Sequence, residues 1–582
     1  MREFVADFET TTNEKDCRVW AFGICDIDNL DNVIIGTSLD DFMKWCMNQP
    51  DNPKVHFVNL KFDSQFILYW LFHNGFTHVS NEDRASNTFT TIINNKGLFY
   101  SIEVIFYLKG KRVKKVTFCD LTKLIPLSVE KIAKAFKLPI SKGKIDYAAH
   151  DNLPPGSPIS EDEKSYITND VRIPAYALAY FRSQGLERMT IGSCALYEYK
   201  QIVGKKNFQR WFPTPKYFDD IKPCYKGGYV YLNPKFAGKK VGAGIVLDKN
   251  SMFPWVMRTK LLPWGTPIFY RGQYKQDDMY PLYIQMLRCS FELKPGKLPT
   301  VQIKHSLHYS GTEYLTSSND EEIILVMTSV DLELFFDHYE VTNPEFLSGW
   351  KFRGAAEVLF NDYVDKWNAK KVEAREQNNP GLSYVAKNYL NHLYGKFGTS
   401  NKAQSKVPYL GEDDAIHYHD TKPEPKDGIY LPVAAFITAW ARYEMVTAAQ
   451  NIMDDYNSGK SKIQFLYCDT DSLHCYSEDF SLPEGLDIDQ FRLGAWKFES
   501  KFRKAKYLRC KCYIEDSTED IDLIEPDEWK LKVTVSGMPE DCRSQVNFNN
   551  FKIGAVYTGK KQPRAVKGGV ILEDIDFTIK KV

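Results

Sequence analysis

The chain of 582 residues has no net charge: 75 lysines and arginines balance 75 aspartates and glutamates. That balance excludes a uniformly basic nucleic-acid coat, though not local basic patches. Its 12 cysteines include no C-x-x-C pair and follow no regular spacing. A disulfide framework and a structural zinc site are therefore not expected, and the thiols read as reduced and cytosolic. The N-terminus, MREFVADFETT, turns acidic at once and lacks the apolar core of a secretory signal. No run reaches the ~18 apolar residues of a membrane-spanning helix. Internal repeats and low-complexity tracts are missing too. What remains is a globular composition, 43% apolar and 26% charged, in a chain long enough for roughly three to five domains. Aromatics are abundant at 14%, and either fill large cores or stack on bases.

The N-terminal third alternates two textures. EFVADFE, KVHFVNL, FTTIIN and KKVTFCDL read as strands; DDFMKWCMN and SVEKIAKAF read as helices. This predicts an α/β domain. Ser160 and Glu163 predict a capping box at the start of the next helix. Further on, YKGGYVYL and GAGIVLDKNSMFPW carry strand–turn signals. The Pro- and aromatic-rich residues 260–357 predict many short strands. Residues 361–376 and LSYVAKNYLNHLYGKFG flank the turn QNNPG as a helical hairpin. LPVAAFITAWARYEMVTAAQNIM reads as a long buried helix, and QFLYCDTDSLHCY as a β-hairpin. The C-terminal end reads as a small β-rich module. Two stretches are densely basic, KGKRVKK and KFRKAKYLRCKCY. The second interleaves Phe502, Tyr507 and Tyr513 with lysine and arginine, as a surface that tracks a phosphate backbone and stacks bases does.

Acidic residues sit where apolar ones are expected. Strand alternation in FVADFET puts Phe4, Ala6 and Phe8 on one face and Val5, Asp7 and Glu9 on the other. Adjacent carboxylates repel, and one protonates unless a cation holds both. Asp63 and Asp170 add two more acids, and Tyr166 shares a helix face with Asp170. A second set is Asp248, which ends the run GAGIVLD, and the Asp469–Thr470–Asp471 turn inside the predicted hairpin. The strand-to-helix turn after Asp248 offers free N–H groups to a phosphate. Between these acids, Lys387, Asn391, Tyr394 and Gly395 form one stripe of a helix. That stripe suits a nucleotide: a cation for phosphate, and an amide and a ring for a base pair.

These motifs resemble known ones. A D-x-E strand, a later Asp and a helical Y-x-x-x-D resemble the DEDD-type 3′–5′ proofreading nucleases. DKNSMFP, KNYLNHLYGKF and YCDTDS resemble motifs A, B and C of family B DNA polymerases. The fuller set, among it DFETTTNEKDCRVWAFG, NLKFDSQFI, YKGGYVYLN and KFRKAKYLRCKCYI, is similar to the small protein-primed subgroup over essentially the whole chain.

The resemblance implies a multidomain α/β and α+β fold. An RNase H-like exonuclease (1–189) would precede a right-hand polymerase: palm (190–259 and 429–535), fingers (359–397) and thumb (536–582). Two insertions belong to the subgroup. Residues 260–358 would contact the priming protein and template; residues 398–428, with the thumb, would encircle DNA for processivity and strand displacement. Asp248 and Asp471 would carry two Mg²⁺ ions, Mn²⁺ being able to substitute, with Asp469 beside them and the Lys249 carbonyl as a ligand. Asp7, Glu9, Asp63 and Asp170 would carry two more, with Tyr166 orienting the water and Lys142 assisting. Lys371 and Lys387 would bind phosphates, Phe253 would exclude ribonucleotides, and Asn391 and Tyr394 would line the nascent pair. Tyr225, Gly227 and Gly228 would hold template, Lys511 and Tyr513 the primer terminus, and Asn59 and Phe62 the frayed 3′ end. Implied partners are primer-template and single-stranded DNA, deoxynucleoside triphosphates and a terminal protein, with the enzyme a monomer or a heterodimer with that protein, in the cytoplasm of an infected bacterium. Two departures stand out. Asp120–Leu121 replaces a Ser/Thr–Leu primer-binding motif. Lys144 replaces an Asp two residues after Lys142, and whether Asp146 substitutes is open. A scaffold with vestigial acids, or a nuclease whose second half only grips DNA, has no need for both complete acidic sets.

Overall fold

The computed structural model describes residues 2–214, 217–302, 314–519 and 529–581. Residues 303–313 and 520–528, parts of the expected first insertion and second palm segment, lie outside the described residues. The N-terminal third is built on eight strands: β1 (Glu3–Thr10), β2 (Val19–Asp26), β3 (Asn29–Gly36), β4 (Lys54–Phe57), β5 (Thr77–His78), β6 (Thr88–Ile93), β7 (Phe99–Lys109) and β8 (Arg112–Asp120). Their order is β3-β2-β1-β4-β8-β7-β6-β5. The β1–β4 and β4–β8 pairs are parallel, which places helices on both faces. Helices α1 (Leu39–Asn48) and α2 (Leu60–His73) lie on one side. After α3 (Val129–Ala135), α4 (Glu161–Ser183) covers the other.

The alternation in β1 is as expected. Phe4, Ala6 and Phe8 enter a core with Phe42, Phe57 and Leu68. Val5 enters the opposite core with Val171 and Leu178. The capping box at Ser160 and Glu163 forms. KVHFVNL is a shorter strand than the sequence suggested. It stops at Phe57 because Asn59 turns left-handed, at φ 68°, and α2 begins at Leu60.

A second eight-stranded sheet carries the other acidic set. Its path runs Lys530–Val535, Cys512–Thr518, Trp496–Arg509, Gly244–Lys249, Ser472–Tyr476, Gln464–Asp469 and Val230–Leu232, with Lys240–Val241 paired to Trp496–Arg509. The strand Gly244–Lys249 is thus inserted between strands from far downstream. The helix Leu431–Asn457 is buried over most of its circumference, as its apolar run required. The helical hairpin forms as Asn361–Glu376 and Pro380–Phe397.

Residues 260–358 correct the expectation of many short strands. The described part is one antiparallel sheet with strands as long as Tyr339–Ala355, plus the helix Ser329–His338. Its prolines do not break the strands. Pro263 and Pro267 lie on the edge strand Leu262–Arg271, and Pro344 lies at a register shift. At both kinds of position the missing N–H is tolerated.

Residues 398–428 form two short ribbons, Lys402–Ala403 with Glu424–Pro425 and Lys406–Leu410 with Ile416–Asp420. They dock on α2, where Gln65 Nε2 donates to Tyr418 Oη at 2.8 Å. The C-terminal hairpin, Val556–Val566 with Gly569–Thr578, reaches the same place. A Cβ on Gly569 would lie 2.4 Å from the Phe66 ring. Cys17 Sγ donates to the Val570 carbonyl at 3.6 Å, and Lys567 Nζ lies 3.2 Å from Asp414 Oδ2. The twelve cysteines are all free thiols. Among the described residues no helix is long and apolar enough to cross a membrane.

Candidate active sites

The first acidic set converges. β1 presents Asp7 and Glu9, α2 brings Asp63 in its first turn, and α4 brings Tyr166 and Asp170. Among the described residues, Asp7, Glu9 and Asp170 form the group whose ligand oxygens lie within 4.8 Å of one another. Burial, and then the Asp170 and Asp63 charges, hold Asp7 well above the usual carboxylate range. Burial, then the Asp170 charge, pushes Glu9 up to about 7. Burial likewise raises Asp63, although it accepts main-chain hydrogen bonds. Asp63 Oδ1 and Asp170 Oδ1 are buried without a hydrogen-bond partner. Crowded carboxylates with orphaned oxygens fit divalent cations, which such a donor set of hard oxygens selects.

Lys142 is the cation already there, its Nζ 2.9 Å from Asp170 Oδ2 and over the Tyr166 ring. Burial opposes its charge, but Asp170 and Asp7 outweigh that and raise its pKa. Burial, then the Asp170 charge, holds the Tyr166 phenol protonated. It is therefore a donor beside the carboxylates. Asn59 is exposed and Phe62 half-buried, both within a turn of Asp63. Asp146 Oδ1 accepts from Ala148 N in a turn. Asp120 is buried at the end of β8, accepts from Thr122 N, and pairs with Lys123 at 3.1 Å.

The second set is assembled by register. Asp248 stands opposite Ser472 on one side and Lys497 on the other. Lys249 N donates to Asp471 O at 2.8 Å. The Lys249 side chain turns away to Glu444 and lies over Trp255, so its main chain is what it offers Asp471. Burial, then the Asp248 charge, pushes Asp471 up to about 7. Burial also raises Asp248, against the pull of Lys497. Asp469 faces elsewhere. Both its oxygens lie 2.7 Å from Lys511 Nζ, and it accepts from Tyr467 Oη at 3.0 Å.

The helical hairpin covers this site. Lys387 and Gly395 are exposed and Asn391 and Tyr394 half-exposed. Lys387 and Tyr394 stand close enough to act on Asp248 and Asp471, so the predicted stripe lines the open space over the site. Lys371 Nζ donates to Ser251 Oγ at 3.0 Å. Burial, then Lys497 and Lys387, lowers its pKa. Phe253 and Tyr394 stack with centroids 4.2 Å apart.

Gly228 lies against the Asp469–Asp471 turn, whereas the Tyr225 ring lies against Gly398 and Gly227 is open. Thr470, between the two aspartates, is left-handed at φ 63° and donates its N–H to Tyr229 O at 2.8 Å. A Cβ on Gly228 would meet Thr470 Cγ2 at 2.8 Å, so only glycine permits this approach.

The basic–aromatic stretch 501–513 is a correction. Phe502, Tyr507 and Tyr513 are buried in one cluster with Tyr467. A register shift in the ladder with Cys512–Thr518 lets Phe502 and Tyr507, five positions apart, both point inward, while Arg503, Lys504 and Lys511 stay exposed. KGKRVKK is the β7–β8 hairpin tip, a solvated charge run.

Sequence reasoning missed four residues. Lys497 and Glu499 approach Asp248 from the strand Trp496–Arg509. Glu499 sits at a register shift, without a ladder partner, and its charge raises the pKa of Asp248 and Asp471. A bulge re-aims a side chain in this way and leaves no periodic signal. The other two are Arg442 and Asp331. Arg442 donates to the Lys226 and Gly227 carbonyls at 3.1 and 2.8 Å, and Asp331 holds it in place.

Comparison with known proteins decides the family. The family model for DNA polymerase type B, organellar and viral, matches residues 45–157 and 150–483. The chain is 44% identical over 590 residues to the DNA polymerase of Bacillus phage B103, covering 99% of each. This chain belongs to the type B DNA polymerases. The phi29 counterpart is 43% identical, again over 99% of both chains. The solved structure of phi29 DNA polymerase with primer-template DNA and incoming nucleotide superposes over 100% of both chains, with a TM-score of 0.91 and 41% identity. The type B polymerase described above is of the phi29 type, a DNA polymerase that also carries a 3′–5′ exonuclease.

Proposed function

We propose that the two acidic sets divide these activities. Asp248 and Asp471 serve nucleotide addition, and Asp7, Glu9, Asp63 and Asp170 serve hydrolysis of a mispaired 3′ end. The observation that carries this is the contrast between the sites. Lysines 371, 387 and 497 surround Asp248, as a triphosphate requires. The Asp7 site has one lysine and a protonated phenol, enough for a single phosphodiester.

Divalent cations, Mg²⁺ first, would activate the attacking oxygen and stabilise the leaving one in each site. The chain's own residues do the rest. Lys371 and Lys387 draw the phosphates of a deoxynucleoside triphosphate, and the Phe253–Tyr394 stack closes the space beside its sugar. The segment Tyr225–Gly228 holds template strand against the Thr470 turn. Lys511 steadies the primer terminus, with Tyr513 beneath it as buried support. In the nuclease site Asn59 and Phe62 grip the single strand, Tyr166 orients a water, and Lys142 steadies Asp170.

The domain boundaries expected from sequence fit these roles. The contact of residues 398–428 with the C-terminal hairpin supports a ring round the DNA. We further propose priming by a terminal protein docked on residues 260–358, and action in the cytoplasm of an infected bacterium, which the phage sources of the relatives support. Primer extension and single-strand degradation test the division. Asp471→Ala should lose extension and keep degradation; Asp7→Ala should do the reverse. Extension that survives Asp471→Ala would overturn the assignment.

A further inference from the structure

Lys497 has no place in the roles the sequence suggested, yet its ammonium is 3.0 Å from Asp248 Oδ2. The contact follows from strand register: Asp248 and Lys497 are cross-strand partners in the ladder between Gly244–Lys249 and Trp496–Arg509. Such partners stand within reach of each other whatever surrounds them. Lys371 and Lys387 differ, because they come from the helical hairpin and their distance to Asp248 depends on how that hairpin sits. Lys497 is part of the same sheet as the carboxylate.

A half-buried carboxylate beside Asp471 and Glu499 needs a positive partner. A divalent cation binding there takes the oxygen that Lys497 now holds. The displaced ammonium, on a flexible four-carbon stem, stays beside Lys371 and Lys387. We infer that Lys497 is a positioning residue of nucleotide addition: it holds Asp248 before the cation arrives, competes with that cation for the carboxylate, and then gives the triphosphate a third positive charge. This rests on the assignment of Asp248 and Asp471 to nucleotide addition.

The test uses the full chain carrying Asp7→Ala and Glu9→Ala, which removes the other cation site. Mn²⁺ binding is followed by electron paramagnetic resonance without DNA or nucleotide. Lys497→Met keeps the stem and removes the charge. It should bind Mn²⁺ about threefold or more tighter than the parent, on the scale where a factor of ten is 1.4 kcal/mol. Its KM for nucleotide should rise several-fold in primer extension, with kcat changed less. Lys497→Arg should return both values toward the parent, and it keeps the test open if the methionine variant fails to fold. Unchanged or weaker Mn²⁺ binding in Lys497→Met overturns the competition. Tighter binding with an unchanged KM overturns the role toward triphosphate. Asp248→Asn is the separate control: if it leaves Mn²⁺ binding intact, the underlying site assignment fails instead.

Discussion

Arg442 grips Asp331 through two nitrogens, Nε at 2.9 Å from Oδ1 and Nη2 at 2.7 Å from Oδ2. The third nitrogen holds the main chain of Lys226 and Gly227. One side chain thus ties the helix Ser329–His338 to the segment that lies against the Asp469–Asp471 turn. Arg442 is 4% exposed. Removing one partner of a buried ion pair costs about 3–5 kcal/mol, because the other charge is stranded. Arg442→Ala should lower the urea midpoint accordingly. Arg442→Lys should recover only part of it, since a lysine cannot make the fork. Full recovery by lysine would show that charge alone matters. In activity, extension of a primed template should fall more than degradation of a free single strand.

Asp471 and Glu9 lead to a pH prediction. Both are raised to about 7, from 3.8 and 4.5, with burial as the first cause. Groups that bind protons more tightly when folded add stability that is full below the unfolded pKa and lost as pH rises through the folded one. In chelator, the melting temperature should therefore decline from about pH 5 to about pH 8. Asp471→Asn with Glu9→Gln should flatten the decline. Mg²⁺ should raise the melting temperature more at the upper end, where the carboxylates are charged and free to bind it. An equal Mg²⁺ effect at both ends would contradict this.

The Phe253–Tyr394 stack predicts sugar selectivity. Phe253→Ala removes the ring and should raise ribonucleotide incorporation relative to deoxyribonucleotide by about tenfold or more, equivalent to about 1.4 kcal/mol of lost discrimination. Phe253→Tyr should keep discrimination, since bulk and not a hydroxyl supplies it. Competition assays with paired nucleotides measure both.

Lys567→Glu reverses the exposed charge of the Asp414–Lys567 contact and leaves the contacts of Asp414 with Tyr69 and His73 in place. An exposed pair contributes at most about 1 kcal/mol, so folding should hardly change. Product length in a single binding event should shorten, most at low salt. Addition of one nucleotide should stay as in the parent. Unaltered product length would remove this contact from processivity.

Much of both sites was legible because acids in apolar strands are costly and so informative. The faces of β1 and the stripe from Lys387 to Gly395 followed from periodicity alone. Register is not periodic. Nothing near Lys497 or Glu499 in the sequence says that they face Asp248, 249 and 251 positions earlier, because that depends on which strands become neighbours. Prolines misled in residues 260–358 because edge strands and bulges absorb them. The rings Phe502 and Tyr507 misled because a register shift turns both onto one buried face while the cations between them stay outside.

The hairpin of residues 556–578 rests on Cys17 and Phe66, so a segment made late packs on segments made about 500 residues earlier. A nascent chain on the ribosome can complete its N-terminal sheet and expose that landing surface long before residues 556–578 emerge. Until they do, the ribbons of residues 398–428 lack the partner that Lys567 brings to Asp414. Order of synthesis therefore sets this contact only after the sheet beneath it has formed.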